Sequence, residues 1–230
     1  MSQAAQASAT KASAIQASAA ATDPGRDCPL CPRLVALRTA NREKQPTWHN
    51  APVPSWGPQT APLLVLGMAP GQKGANRTGR PFTGDHAGKL LYATLLKFGL
   101  AQGTYLEDPD DGMQMLGCRI TNAVRCVPPA NLPEPLETRT CNQFLRAELS
   151  AMPNLKAVLA LGVLAHAAAL RACGLPVSHK RFAHGAIHTL PDGLLLANSY
   201  HVSRYNTSTR RLTTEMFESA VADILKRLAG

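Results

Sequence analysis

Apolar positions along this chain of 230 residues fall into two kinds of pattern. Short unbroken runs occur at Leu63–Leu66, within Cys118–Val124, at Ala157–Leu161 and at Leu194–Ala197. Runs of that length without alternation suit strands buried on both faces, as in a parallel sheet. Between them, apolar residues recur every three or four positions, the spacing of a helix with one buried face. One such segment follows Asp85, with Leu91, Leu95 and Phe98 on its inner face and Gly99 as its stop. Others run from Glu137 to Leu149, through the alanine-rich stretch to Arg171, and from Thr214 to Leu228 with Phe217, Val221, Ile224 and Leu228 inward. A helical pattern also passes through Leu34, Leu37 and Arg38. Strands alternating with helices predict an α/β protein: a three-layer α/β/α arrangement around a mostly parallel, four-stranded central sheet.

The rest of the chain punctuates this pattern. Residues 1–25 are mostly Ala, Ser, Gln and Thr with a single lysine before position 26, Lys11, too poor in bulky apolar groups to offset the entropy of ordering. They are expected to form a disordered tail, with 26–230 as one domain. Trp48–Pro62 is proline-rich and expected to be extended, residues 104–118 form an acidic excursion, and Val177–His188 is a basic, histidine-rich loop.

Charge narrows the choice of partner. Lys and Arg outnumber Asp and Glu by 24 to 15, giving a net charge of +9 and a pI near 9.6. That excess favours a polyanion, nucleic acid before membrane, although a basic solvated surface gives the same count. No apolar run approaches the roughly 18 residues needed to cross a bilayer. Six cysteines without a hydrophobic leader suggest a reducing, cytoplasmic setting, where clustered thiols point to metal more than to disulfides.

The candidate chemistry gathers after the first strand. Gly67-Met68-Ala69-Pro70-Gly71 is a glycine turn that brings backbone N–H groups close to a ligand. It lacks the Gly-Lys-Ser/Thr of a P-loop and the spacing of a dinucleotide fingerprint. Phe82 is either a core plug or a platform for a planar base. Asp85 is a helix cap that could also orient water. Asn122, at the end of the second strand, is either a structural amide or a donor–acceptor pair for a nucleobase edge. His201 lies beyond the fourth strand among Ser203, Arg204, Tyr205 and Asn206, suiting general acid or electrostatic work as well as a structural role. Lys180 and Arg181, between His179 and His184, are solvated surface or phosphate contacts. Cys28-x2-Cys31 and Cys126-x14-Cys141 could meet as a four-thiolate site for an iron–sulfur cluster or zinc, or could be buried structural thiols. Cys118 and Cys173 read as core residues.

Taken together, these segments resemble the iron–sulfur uracil-DNA glycosylases, closest to the family 5, or type b, branch. The matching residues are Gly67–Gly71, Asn76–Asp85, Ile120-Thr121-Asn122 with Val124-Arg125-Cys126, and His201 with Ser203 and Asn206; the four cysteines have the family's spacing. The resemblance covers Cys28 to the C-terminus. It implies a uracil-DNA glycosylase-like fold and a monomeric repair enzyme that hydrolyses the N-glycosidic bond of a base flipped from DNA, leaving an abasic site. Phe82 would stack on the base, Asn122 would bond its Watson–Crick edge, and N–H groups near Met68 and Ala69 would hold its O2 side. His201 would stabilise charge on the departing base, and Asp85 matches a catalytic aspartate of the type b branch. Lys180, Arg181, Ser203 and Arg204 would contact DNA, and Cys28, Cys31, Cys126 and Cys141 would hold a structural 4Fe-4S cluster. The glycine turn has no acid or amide to activate water, because Met68 and Ala69 are apolar, so Asp85 is the nearest candidate. A pocket so poor in polar side chains fits the branch's broad choice of bases, including hypoxanthine, xanthine and oxidised pyrimidines. The chain departs from the family's usual His-Pro-Ser at His201-Val202-Ser203, where valine leaves the loop freer. A non-catalytic damaged-DNA-binding protein on the same fold, and a zinc-stabilised structural module, are the competing readings.

Overall fold

The computed structural model describes residues 22–229. The expected tail lies outside the described residues as far as position 21. Within the span expected as tail, Thr22 and Pro24 are buried and Asp23 accepts from Arg125.

In chain order the elements are α1 (Pro32–Lys44), β1 (Leu63–Gly67), α2 (Ala75–Thr78), α3 (His86–Lys97), β2 (Ala101–Gln102), β3 (Gln114–Met115), β4 (Cys118–Asn122), α4 (Pro135–Ala151), β5 (Ala157–Leu161), α5 (Val163–Ala172), β6 (Ile187–Thr189), β7 (Leu195–Ser199), α6 (Arg204–Ser208) and α7 (Thr214–Ala229). The central sheet has five strands in the order β4-β1-β5-β7-β6. β4, β1, β5 and β7 are the expected parallel four. The fifth, β6, runs antiparallel along the outer edge of β7. The apolar pattern does not announce it: its three residues, Ile187-His188-Thr189, are half-exposed or exposed and form no apolar run. The β2–β3 ribbon, which pairs residues just before the acidic excursion with residues near its end, and the five-residue α6 are likewise too short to leave a periodic signal.

Side-chain alternation builds the layers. Leu63 and Val65 of β1, Ile120 of β4 and Leu159 of β5 face a core with Leu91, Tyr92 and Leu95 of α3 and Phe217, Val221 and Ile224 of α7. Leu64, Leu66, Val158, Ala160 and Leu196 face the other way, onto Leu145 of α4 and Ala165, Ala168 and Ala169 of α5. The two cores make the expected three layers. The strand register levels the carboxyl ends, since Gly67 pairs with Asn122 and Leu161 with Ser199. Every chain exit that matters for the site leaves from that edge, as ligand sites in open α/β sheets do.

A buried ionic network ties the beginning of the domain to its middle. Glu148, fully buried on α4, accepts from Arg119 and, at 2.7 Å, from the Ser55 hydroxyl. Arg125 donates to Asp23 at 2.6 Å and approaches Glu148 at 3.3 Å. Two guanidiniums and two carboxylates balance, which makes the burial of each tolerable.

Candidate active site

Backbone space comes first. A Cβ on Gly67 would collide with the Asn122 amide oxygen and stand 2.5 Å from the Phe82 ring, so glycine here lets both side chains rest against the end of β1. Ala123 and Val124 donate their N–H groups to the carbonyls of Gly67 and Met68 at 3.0 Å, joining the exits of β1 and β4. Asn122 is 3% exposed, and its side-chain oxygen finds no partner among the described residues. A buried acceptor without a donor is costly unless a ligand supplies one.

Phe82 is held in an unusual conformation. Its φ is +56°, in the left-handed region that side chains other than glycine rarely occupy. Such a residue stores about 1–3 kcal/mol of strain and persists only where its surroundings hold it there.

Asp85 caps α3 through Oδ1, which accepts from the N–H of Ala87 at 3.1 Å and of Gly88 at 3.3 Å. Its other oxygen lies against Gly71 and Gly74, where any Cβ would clash. Burial pushes its pKa above the ordinary 3.8, partly opposed by the two backbone N–H groups. The result is a desolvated carboxylate of increased basicity.

His201 follows β7. Its carbonyl accepts from the Asn206 amide at 2.7 Å, which fixes the turn into α6. Burial pushes its imidazole down to about 4, so it is neutral at pH 7 and offers an N–H without carrying a charge. Its ring centroid stands 6.4 Å from that of Phe82.

These groups meet. Met68, Ala69, Pro70, Gly71, Phe82, Asp85, Ala87, Asn122 and His201 line one cavity of about 90 Å³ at the carboxyl edge of the sheet. All six residues expected to touch the base or do chemistry are in it. A much larger groove, about 690 Å³, opens near the starts of β5 and β7 and is lined by Arg146, Lys156, Asp192 and Arg227 among apolar residues, but none of those six residues borders it.

None of the residues expected to contact DNA lines this cavity. Ser203 caps α6, with its hydroxyl accepting from Asn206 N–H at 3.4 Å, and Arg204 is exposed. Lys180 is half-buried and Arg181 exposed. Their loop is fastened to the site edge at two points that the sequence did not suggest. The buried His166 contacts Asn198 Oδ1 at 2.8 Å and the Lys180 carbonyl at 2.9 Å through its two ring nitrogens. His184 accepts from the Tyr200 N–H at 3.1 Å and stacks on the Tyr200 ring, next to His201. Tyr205, 71% exposed beside Arg204, is a further surface aromatic at this rim.

Cys28, Cys31, Cys126 and Cys141 line a second, small cavity walled by Leu34, Val124 and Phe144. Arg125 N–H lies 3.4 Å from the Cys141 sulfur and Arg38 lies 3.8 Å from that of Cys126. Among the described residues no three His, Cys, Asp or Glu side chains converge on a point that a single ion would occupy. Cys118 is core, whereas Cys173 is partly exposed and lines the larger groove.

Comparison with known proteins bears on this arrangement. Residues 54–225 match the family model of the Uracil DNA glycosylase superfamily. The chain is 46% identical over 209 residues to a type-5 uracil-DNA glycosylase of Thermus thermophilus, covering 88% of this chain and 94% of that one. It is 42% identical over 212 residues to one of Mycobacterium bovis, covering 88% and 78%, and 39% identical over 208 residues to one of Pyrobaculum aerophilum, covering 89% and 88%. With a match spanning most of the domain and relatives aligned over 78–94% of their length, the chain belongs to the uracil DNA glycosylase superfamily, in its type-5 branch.

Proposed function

We infer that this protein is a uracil-DNA glycosylase, a DNA-repair enzyme that hydrolyses the N-glycosidic bond between uracil and deoxyribose. The observation that carries the reading is the meeting of Phe82, Asn122, Asp85 and His201 in one small cavity at the carboxyl edge of the sheet. A cavity this enclosed admits a base that has been turned out of the duplex, so base flipping belongs to the proposal. Phe82 supplies the flat surface. The unpartnered Asn122 oxygen accepts from the ring N–H of uracil, and its amide N–H donates to the neighbouring carbonyl.

In the reaction, water adds its oxygen to the sugar carbon and gives up a proton, while the C–N bond electrons leave with the base. Asp85, desolvated and more basic than usual, orients the water and accepts that proton. Neutral His201 directs an N–H at the oxygen where charge gathers on the departing base, as do the N–H groups near Met68 and Ala69. Apart from Asn122, Asp85 and His201, the lining is apolar or glycine, which supports excision of hypoxanthine and xanthine as well as uracil. Lys180, Arg181, Ser203 and Arg204 take the DNA phosphates around the opening.

Cys28, Cys31, Cys126 and Cys141 fit a 4Fe-4S cluster. Four thiols lining one apolar-walled cavity are the ligand set that such a cluster takes. Bound there, the cluster supplies a structural cross-link between the start of α1 and α4. Iron and sulfide content with a visible absorption band tests it, and a protein carrying one zinc instead would reject it.

Cleavage of duplex DNA with one labelled uracil, without added magnesium and read after alkaline scission, tests the reaction. Wild-type protein should release uracil, and Asp85→Ala and His201→Ala should lose at least about a hundredfold in rate. Binding of uracil-containing DNA with no base release from uracil or hypoxanthine would replace the enzyme with a damage-binding protein.

A further inference from the structure

Phe82 cannot hold its left-handed backbone alone, and the structure supplies what holds it. The two peptide planes flanking its Cα are each fixed by a phenol. Tyr92 donates its hydroxyl to the carbonyl of Pro81, and Tyr105 donates to that of Phe82 at 3.2 Å while accepting from the Gly84 N–H at 3.3 Å. With both planes fixed, φ and ψ of the residue between them are fixed too.

The phenols are themselves organised by one cation. The Arg80 guanidinium sits 4.6 Å from the ring centre of Trp56, 5.6 Å from that of Tyr92 and 6.0 Å from that of Tyr105. Tyr92 and Tyr105 pack on each other at 4.5 Å. Arg80, 5% exposed, forms a two-pronged ion pair with Asp111 at 2.7 Å on each arm and donates through Nε to Thr83 at 2.7 Å. Asp111 in turn accepts from the N–H groups of Leu106 and Met113, both at 3.1 Å, which closes the acidic excursion over the cation. Trp56 is anchored to β4 by paired backbone bonds with Ile120. None of these residues lines the cavity.

We propose that Arg80, clamped by Asp111 inside the Trp56–Tyr92–Tyr105 box, is a positioning residue that holds Phe82 in its left-handed conformation and so presents the ring to the flipped base. The inference rests on the reading of Phe82 as the stacking platform. It also accounts for the acidic excursion 104–118, which carries Tyr105 and Asp111, two parts of the clamp. A planar fork is needed to meet Asp111 and lie against the rings together, so lysine does not substitute for Arg80.

A double-mutant cycle tests it. Single-turnover excision of uracil is measured at saturating enzyme for Asp111→Asn, Tyr105→Phe and Arg80→Lys, alone and in a Phe82→Ala background, with DNA affinity and thermal unfolding alongside. Tyr105→Phe keeps the ring and deletes one hydroxyl, so it serves if Asp111→Asn fails to fold. Each single change should slow excision about tenfold with DNA affinity altered less than about twofold, and each should add less than about twofold once Phe82 is alanine. Equal slowing with and without Phe82, or lowered unfolding temperature with an unchanged rate, overturns the clamp while leaving the glycosylase intact. Phe82→Ala excising at the wild-type rate overturns the stacking reading, and the clamp's purpose with it.

Discussion

The two oxygens of Asp85 face different demands. Oδ1 caps α3, and the carboxylate as a whole borders the cavity in desolvated surroundings. Asparagine caps a helix as well as aspartate does and carries no charge to desolvate. Asp85→Asn is therefore expected to unfold at no lower temperature than wild type while losing at least about a hundredfold in excision rate. The pH dependence follows. The folded pKa of Asp85 lies above 3.8, so its favourable contribution to stability is present below 3.8 and is lost as pH rises through the folded value. The acid limb of the excision rate should sit above 3.8 and disappear in the asparagine variant. His201 runs the other way: its folded value near 4 lies below the ordinary 6.5, so its contribution is present above 6.5 and is lost as pH falls toward 4. A proton NMR titration should find its imidazole neutral throughout the working range. At this scale the sequence was informative where residues lie together in a motif, as from Asn76 to Asp85. It was silent on the Arg80 clamp, whose members run from Trp56 to Asp111 and meet only in the fold.

Among the elements, α3 shows how tightly the site is built into its scaffold. Gly88 stands in the first turn of this helix, where alanine would ordinarily be favoured by up to about 1 kcal/mol. Here an added Cβ would run into the carbonyl oxygen of Phe82 and the Tyr105 hydroxyl. Backbone cannot step aside as a flexible side chain can, and overpacking of this kind costs about 1–3 kcal/mol. Gly88→Ala should thus be destabilising in urea unfolding and should slow excision through Phe82. The parallel strands and long helices were readable because each buries an apolar run or stripe. β6 and α6 were not, because three and five residues cannot establish a period. The lock on the basic loop was also hidden, since His166 looks like one polar interruption in an alanine-rich helix.

For the whole molecule, the net charge of +9 suits a polyanionic partner. Lys180, Arg181 and Arg204 belong to segments fastened at the same sheet edge as the cavity. Phosphate contacts there should make DNA binding fall steeply with salt, and replacing Lys180 or Arg204 by glutamine should each reduce the slope of log affinity against log salt by about one. Fluorescence anisotropy across a salt series measures this. An unchanged slope would remove that residue from the DNA contact surface.

The bond between Asp23 and Arg125 also decides what can be cut away. Arg125 is 1% exposed, and among the described residues Asp23 is one of its two carboxylate partners. By composition, everything before Gly25 looks like dispensable leader, and a designer trimming the protein for crystallisation or fusing another domain to it would start there. That cut would leave a buried cation short of one counter-charge. A tag or partner domain joined upstream of Thr22 keeps Asp23, and with it the pair to Arg125.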